Sequence, residues 1–231
     1  MNRFLVYLII LAMFDVAACR GAARKEAPPP APASASPSKS LPKIVAFGDS
    51  LTAGYGLSES TSYPSLLQNK LTADGFDYEV VNAGVSGDTS AGGVRRIDWA
   101  LEGDVKVVIL ELGANDILRG QPISEMRKNL GLIIQRCKAK GARVLLAGME
   151  APTDTGSEYR KDVHEAFASV ARELNVEMIP FFLDGVAGID SLNQRDRMHP
   201  NEDGTKIVVE NVYKWLRPML EDLRRSEARD G

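Results

Sequence analysis

The chain has 231 residues, 44% of them hydrophobic, which suffices for one domain with a full core but hardly for two once a non-globular front end is set aside. Lys and Arg number 28 against 31 Asp and Glu, a net charge of -3, so no polycationic surface is offered and nucleic acid is excluded as an expected partner. The two cysteines, Cys19 and Cys137, stand on opposite sides of a Pro/Ala/Ser-rich stretch, and no structural disulfide is expected.

Residues 1–18 begin with Asn2-Arg3 and continue as an apolar run over 4–14, too short to span a bilayer comfortably, which is the pattern of a secretory signal. The run closes on Val16-Ala17-Ala18-Cys19, which resembles the bacterial lipobox. That resemblance implies lipidation of Cys19, export across the inner membrane and a lipid anchor in the periplasm or cell envelope; Asp15, a charge in the late apolar region, departs from the pattern. Residues 19–40 then turn to Ala, Pro, Ser and Lys, including Pro28-Pro29-Pro30, with almost nothing to bury, and are expected to form an extended, semi-stiff tether. The folded domain is expected over 41–225, followed by a short tail at 226–231.

Within the domain, β-rich runs at 43–47, 78–82, 105–111, 142–147 and 176–182 alternate with helical periodicity over 62–73, 90–101, 123–140, 158–174 and 201–224. Helical crossovers between successive strands make those strands parallel, so the expected fold is a three-layer α/β/α sandwich around a five-stranded parallel sheet. In such sheets ligands bind at the carboxyl ends of the strands, and chemistry is expected immediately after them.

After the first strand comes Gly48-Asp49-Ser50-Leu51, where glycine permits a sharp turn and the residues that follow start a helix with its amides aimed at a developing anion. After the second comes Ser86-Gly87-Asp88-Thr89, in which Gly87 has no side chain to block a substrate and its N–H is a candidate oxyanion donor. After the third comes Gly113-Ala114-Asn115-Asp116, where the Asn115 amide offers two uncharged donors. Near the C-terminus stands Asp196-Arg197-Met198-His199-Pro200, whose spacing lets one turn carry the Asp196 carboxylate to a ring nitrogen of His199. Taken singly, each of these reads equally as an ordinary capped turn. Ser86 and Thr89 are rival nucleophiles, ranked below Ser50 because Gly-Asp-Ser follows its strand without an intervening loop. His164 is a weaker base than His199, since it lies inside a helical run, and Cys137 is read as a bystander on the helix 123–140. The conjunction decides: together the four turns supply a nucleophile, oxyanion donors, a base and an orienting acid, each at a strand end or in the last loop.

These blocks, Gly48-Asp49-Ser50-Leu51, Gly87, Gly113-Ala114-Asn115-Asp116 and Asp196-Arg197-Met198-His199-Pro200, resemble one by one those of the SGNH (GDSL) hydrolases. The similarity covers nearly all of 41–220 and is greatest to the bacterial thioesterase I, arylesterase and lysophospholipase branch. It implies a flavodoxin-like sheet and hydrolysis of small-molecule or lipid esters and thioesters without metal or cofactor. It also implies catalysis by Ser50, His199 and Asp196 and an oxyanion hole formed by Ser50, Gly87 and Asn115. Residues 148–156, after the fourth strand, vary within that branch, so acyl preference does not carry over through them. Two alternatives stay open: a carbohydrate O-deacetylase, which a small acyl cavity would favour, and a lipid-anchored binding protein without turnover. A dinucleotide-binding domain is disfavoured because no Gly-x-Gly-x-x-Gly opens the first helix, and the unrelated α/β-hydrolase fold because Gly-x-Ser-x-Gly is absent.

Overall fold

The computed structural model describes residues 40–230; the expected signal, the lipidation site Cys19 and all but the last residue of the tether lie outside the described residues. Five strands form one parallel sheet: β1 (Lys43–Gly48), β2 (Glu79–Gly84), β3 (Val105–Glu111), β4 (Arg143–Ala147) and β5 (Glu177–Ile179). They alternate with helices α1 (Ser50–Ala53), α2 (Tyr63–Ala73), α3 (Ser90–Ala100), α4 (Ala114–Leu118), α5 (Ile123–Ala139), α6 (Ser157–Leu174) and α7 (Glu202–Asp230). Helices α3, α5 and α6 pack against one another on one side of the sheet, and α2 packs with α7 on the other, giving the expected three layers.

Burial explains the composition of the strands. β1 and β3 sit inside the sheet and read as unbroken apolar runs, Ile44-Val45-Ala46-Phe47 and Val107-Val108-Ile109-Leu110, because helices cover both of their faces. β2 lies at one edge and is only partly buried. β5, at the other edge, stops at Ile179 instead of running to 182, since Pro180 follows and has no N–H for the ladder. The last helix was expected to end at 224. It continues to Asp230 through the helix-compatible Ser226-Glu227-Ala228-Arg229, with Ser226 Oγ donating back to the carbonyls of Asp222 and Leu223, so residues 226–230 extend the helix rather than form a separate tail.

The strand order β2-β1-β3-β4-β5 reverses direction between β1 and β3. At such a reversal the connections leave in opposite directions, and a crevice opens outside the carboxyl ends of the two strands. Two glycines let backbone close on that point. Gly48 and Gly84 are register partners at the ends of β1 and β2. A Cβ on Gly48 would stand 2.1 Å from Thr52 Oγ1 and 2.4 Å from Glu111 Oε2, and one on Gly84 would stand 2.2 Å from the Ala53 nitrogen. The one-turn helix α1 is therefore pressed directly onto the sheet end, and only glycine leaves room for it.

Candidate active site

Ser50 is the first residue of α1. Its position is set by two buried acids. Asp49 caps the helix, with Oδ1 accepting from the Leu51 N–H at 3.0 Å, while its other oxygen accepts from Asn115 Nδ2 at 2.9 Å. Glu111, the last residue of β3, reaches beneath the same turn, and its Oε2 accepts from the Asp49 N–H at 3.2 Å and from Thr52 Oγ1 at 2.7 Å. Burial raises the Asp49 carboxyl above its ordinary range, against the opposing pull of the Leu51 N–H and the Asn115 amide. Glu111 is pushed well above the carboxylate range, first by burial and then by the neighbouring charge of Asp49.

His199 reaches Ser50 from the other direction. His199 Nε2 lies 2.9 Å from Ser50 Oγ, and His199 Nδ1 lies 2.7 Å from Asp196 Oδ2. The second Asp196 oxygen accepts from the backbone N–H groups of Met198 at 3.0 Å and His199 at 3.1 Å. This convergence requires a tight bend, which Arg197 supplies by adopting φ 61°, a left-handed conformation rare outside glycine and asparagine. Burial would raise the Asp196 carboxyl, but hydrogen bonds from the His199 ring and from the Met198 and His199 amides outweigh it and hold the group down at about 2. The loop is anchored at both ends: Gln194 N–H donates to the His199 carbonyl at 2.8 Å, Asn193 pairs with Pro200, and Asn201 Oδ1 accepts from the Asp203 and Gly204 N–H groups at the start of α7.

Three donors face the same cavity of about 630 Å³. The Ser50 and Gly87 N–H groups donate no hydrogen bond among the described residues, and Gly87 has φ 80°, backbone that favours glycine. Asn115 uses one amide hydrogen on Asp49 and keeps the other. Beyond the donors the cavity wall is mainly apolar, with Leu51, Ile117, Leu118, Met149, Phe181 and Leu183 contributing.

The structure thus brings Ser50, His199, Asp196, Gly87 and Asn115 to one place and separates their rivals. Ser86 lines the cavity without a hydrogen bond to a histidine among the described residues. Thr89 is the N-cap of α3, its Oγ1 accepting from the Gly92 N–H. His164 is exposed on α6 and outside the cavity wall. Cys137 is fully buried on α5, its thiol pushed up to about 12 by burial.

Several supporting residues escaped the sequence reading. Arg96 of α3 donates to Asp88 Oδ2 and to the carbonyls of Ala83 and Gly48, all at 2.7 Å, so one guanidinium ties the ends of β1 and β2 to the Gly87 loop. Asp116 accepts from both the backbone N–H and the hydroxyl of Ser90, joining the Asn115 turn to the start of α3. Nothing in the sequence marks Arg96. Glu111 did carry a signal: an acid ends an otherwise apolar central strand, where an unpaired charge is costly.

A parallel α/β sheet with a hydrogen-bonded Ser, His and Asp at its switch point, beside free donors and an apolar cavity, has the architecture of an ester hydrolase. Residues 46–207 match the GDSL-like Lipase/Acylhydrolase family, and the chain belongs to that family, the SGNH hydrolases. It is similar to the esterase TesA of Pseudomonas aeruginosa, 39% identical over 178 residues that cover 77% of this chain and 89% of that one. It is also similar to an arylesterase of Vibrio mimicus, 33% identical over 180 residues that cover 78% and 90% of the two chains. The solved structure of the esterase EstA from Pseudoalteromonas sp. inhibited by monoethylphosphonate superimposes with a TM-score of 0.74 at 34% identity, covering 78% of this chain and 98% of that one. The enzyme is a carboxylic ester hydrolase, and its substrates are small-molecule esters.

Proposed function

We propose that this hydrolase is a lipid-anchored, extracytoplasmic serine esterase acting on carboxylic esters with extended acyl chains, with Ser50 as nucleophile. The observation that carries the reading is the unbroken hydrogen-bond line from Asp196 through His199 to Ser50 Oγ, 2.7 and 2.9 Å in its two steps. Asp196 accepts from Nδ1–H of His199 and fixes the tautomer that leaves Nε2 free to receive the serine proton. Ser50 Oγ attacks the ester carbonyl, its proton passes to His199, and the oxyanion is held by the N–H groups of Ser50 and Gly87 and the remaining Asn115 amide hydrogen. Collapse expels the alcohol, protonated by His199, and leaves an acyl-Ser50 ester. Water, deprotonated by His199, attacks that ester through the same oxyanion hole and releases the acid. The phosphonate inhibition of the related EstA is the behaviour expected of such a serine.

The preference for longer acyl chains is supported by the apolar wall of the cavity, to which Leu51, Ile117, Leu118, Met149, Phe181 and Leu183 contribute. The lipid anchor and cell-envelope location rest on residues 1–40, with Cys19 as the acylated residue. The test is a panel of p-nitrophenyl esters of increasing acyl length, run beside lysophospholipids and acetylated sugars. kcat/KM is expected to rise from acetyl to longer chains; an optimum confined to acetyl esters and acetylated sugars would return the assignment to a carbohydrate O-deacetylase.

A further inference from the structure

Two carboxyl groups lie beneath the nucleophile turn, Asp49 at 1% and Glu111 at 0% exposure, and no Lys or Arg among the described residues hydrogen-bonds to either. Two negative charges cannot share a dry site of this kind without a cation, because each would forfeit its hydration and repel the other. Their partners tell them apart. Asp49 receives a hydrogen bond on each oxygen, from Leu51 and from Asn115, which is the environment of an ionised group. Glu111 receives two on Oε2, while its Oε1 has no partner among the described residues.

We propose that Glu111 is a positioning residue of the esterase reaction, acting as a neutral acid that clamps both flanks of Ser50 to the end of β3. Its Oε2 holds the N–H of the residue before the nucleophile and the hydroxyl of Thr52, two residues after it. Asn115 follows Glu111 by four residues in the same β3 connection, so one buried side chain locks the nucleophile turn to the strand that delivers an oxyanion donor. Gly48 is part of the device, because any Cβ there would occupy the space of the Glu111 carboxyl. A proton on Glu111 leaves the site with one negative charge, on Asp49, where it orients the Asn115 amide. The upward displacement of the Glu111 carboxyl by burial and by Asp49 agrees with this division.

The inference rests on Ser50 being the nucleophile, and the experiment separates the two claims. Labelling with a fluorophosphonate reports on Ser50 directly: the native enzyme is expected to label at Ser50 and Ser50→Ala not at all, and a label on another serine would sink the nucleophile assignment whatever Glu111 does. With Ser50 labelled, Glu111→Leu is expected to lower kcat and the phosphonylation rate about 10²-fold, the typical consequence of displacing a reacting group by about 1 Å, with KM nearly unchanged. Glu111→Gln, the uncharged isostere, is expected to recover most of that loss. In infrared spectra at neutral pH the native enzyme is expected to show a protonated-carboxyl C=O band that Glu111→Gln lacks. Should Glu111→Leu fail to fold, Thr52→Val removes one clamped donor and is expected to cost roughly fivefold in kcat. Glu111→Gln as impaired as Glu111→Leu, absence of the infrared band, or an undiminished kcat in Glu111→Leu or Thr52→Val would each overturn the proposal.

Discussion

Ser50 is held between two regions built on opposite plans. Beneath it, Asp49 and Glu111 are sealed from water, and their bonds join residues 62 and 66 positions apart in the chain. Beside it, Asp196 and His199 are three residues apart on an exposed loop, with side chains 32% and 16% accessible, and they satisfy one another almost entirely by local hydrogen bonds. The sealed side owes its geometry to the whole sheet, whereas the exposed side carries its geometry in one bend at Arg197. The first resists change and is costly to disturb; the second forms from little sequence and is buffered by its own backbone.

That contrast orders the expected losses. Ser50→Ala and His199→Ala, which remove the groups where both regions meet, are expected to lower kcat on a p-nitrophenyl ester about 10⁶-fold each, and the double variant little further, since the two act as a unit. Such a loss in Ser86→Ala or Thr89→Ala, with Ser50→Ala active and folded by circular dichroism, would move the nucleophile to the second turn. Asp196→Ala is expected to fall short of the roughly 10⁴-fold that loss of an orienting acid costs elsewhere, because the Gln194 and Asn193 bonds still hold the His199 backbone. A loss equal to that of His199→Ala would show that the loop is not self-supporting. Asn115→Ala is expected to cost about 2.7–4 kcal/mol in transition-state stabilisation, or roughly 10²–10³ in kcat, with KM little altered.

The smallest expected effect is one of pH. Asp196 has its carboxyl held at about 2 instead of the ordinary 3.8, so its ionised form is favoured by folding. Its stabilising contribution is complete above the unfolded value and is lost as pH falls through the folded one. The carboxyl carbon of Asp196, followed by NMR, is expected to titrate with a midpoint near 2. A midpoint near 3.8 would mean that the bond to His199 is not made in solution.

The same contrast governs what was legible in the sequence. The Asp196–His199 unit was readable because its logic is a three-residue spacing, and the strands because buried parallel strands are continuous apolar runs that stop at turn residues. The boundaries missed were local: Pro180 cuts β5 short, and α7 continues through residues that only a tail assignment set aside. The sealed side was not readable in this way. Asp49 looked like an ordinary cap, which it is, but its second bond goes to Asn115 in the connection after another strand. Arg96 reaches three partners at the ends of β1 and β2 and in the following loop, and no spacing in its own helix announces that. Which strand ends become neighbours depends on the order β2-β1-β3, and periodicity carries no information on order.

The crowding of α1 against Gly48 and Gly84 reaches beyond this one catalytic step. At Gly84 the backbone of α1 fills the space a side chain would take, and at Gly48 the Thr52 hydroxyl and the Glu111 carboxyl and carbonyl fill it, so the turn at Ser50 is closed to gradual variation. On the opposite rim of the cavity Glu150, Pro152 and Thr153 are exposed and Phe181 and Leu183 only partly buried, so side chains there have room to vary. Libraries made to retarget the enzyme should therefore be concentrated on that rim.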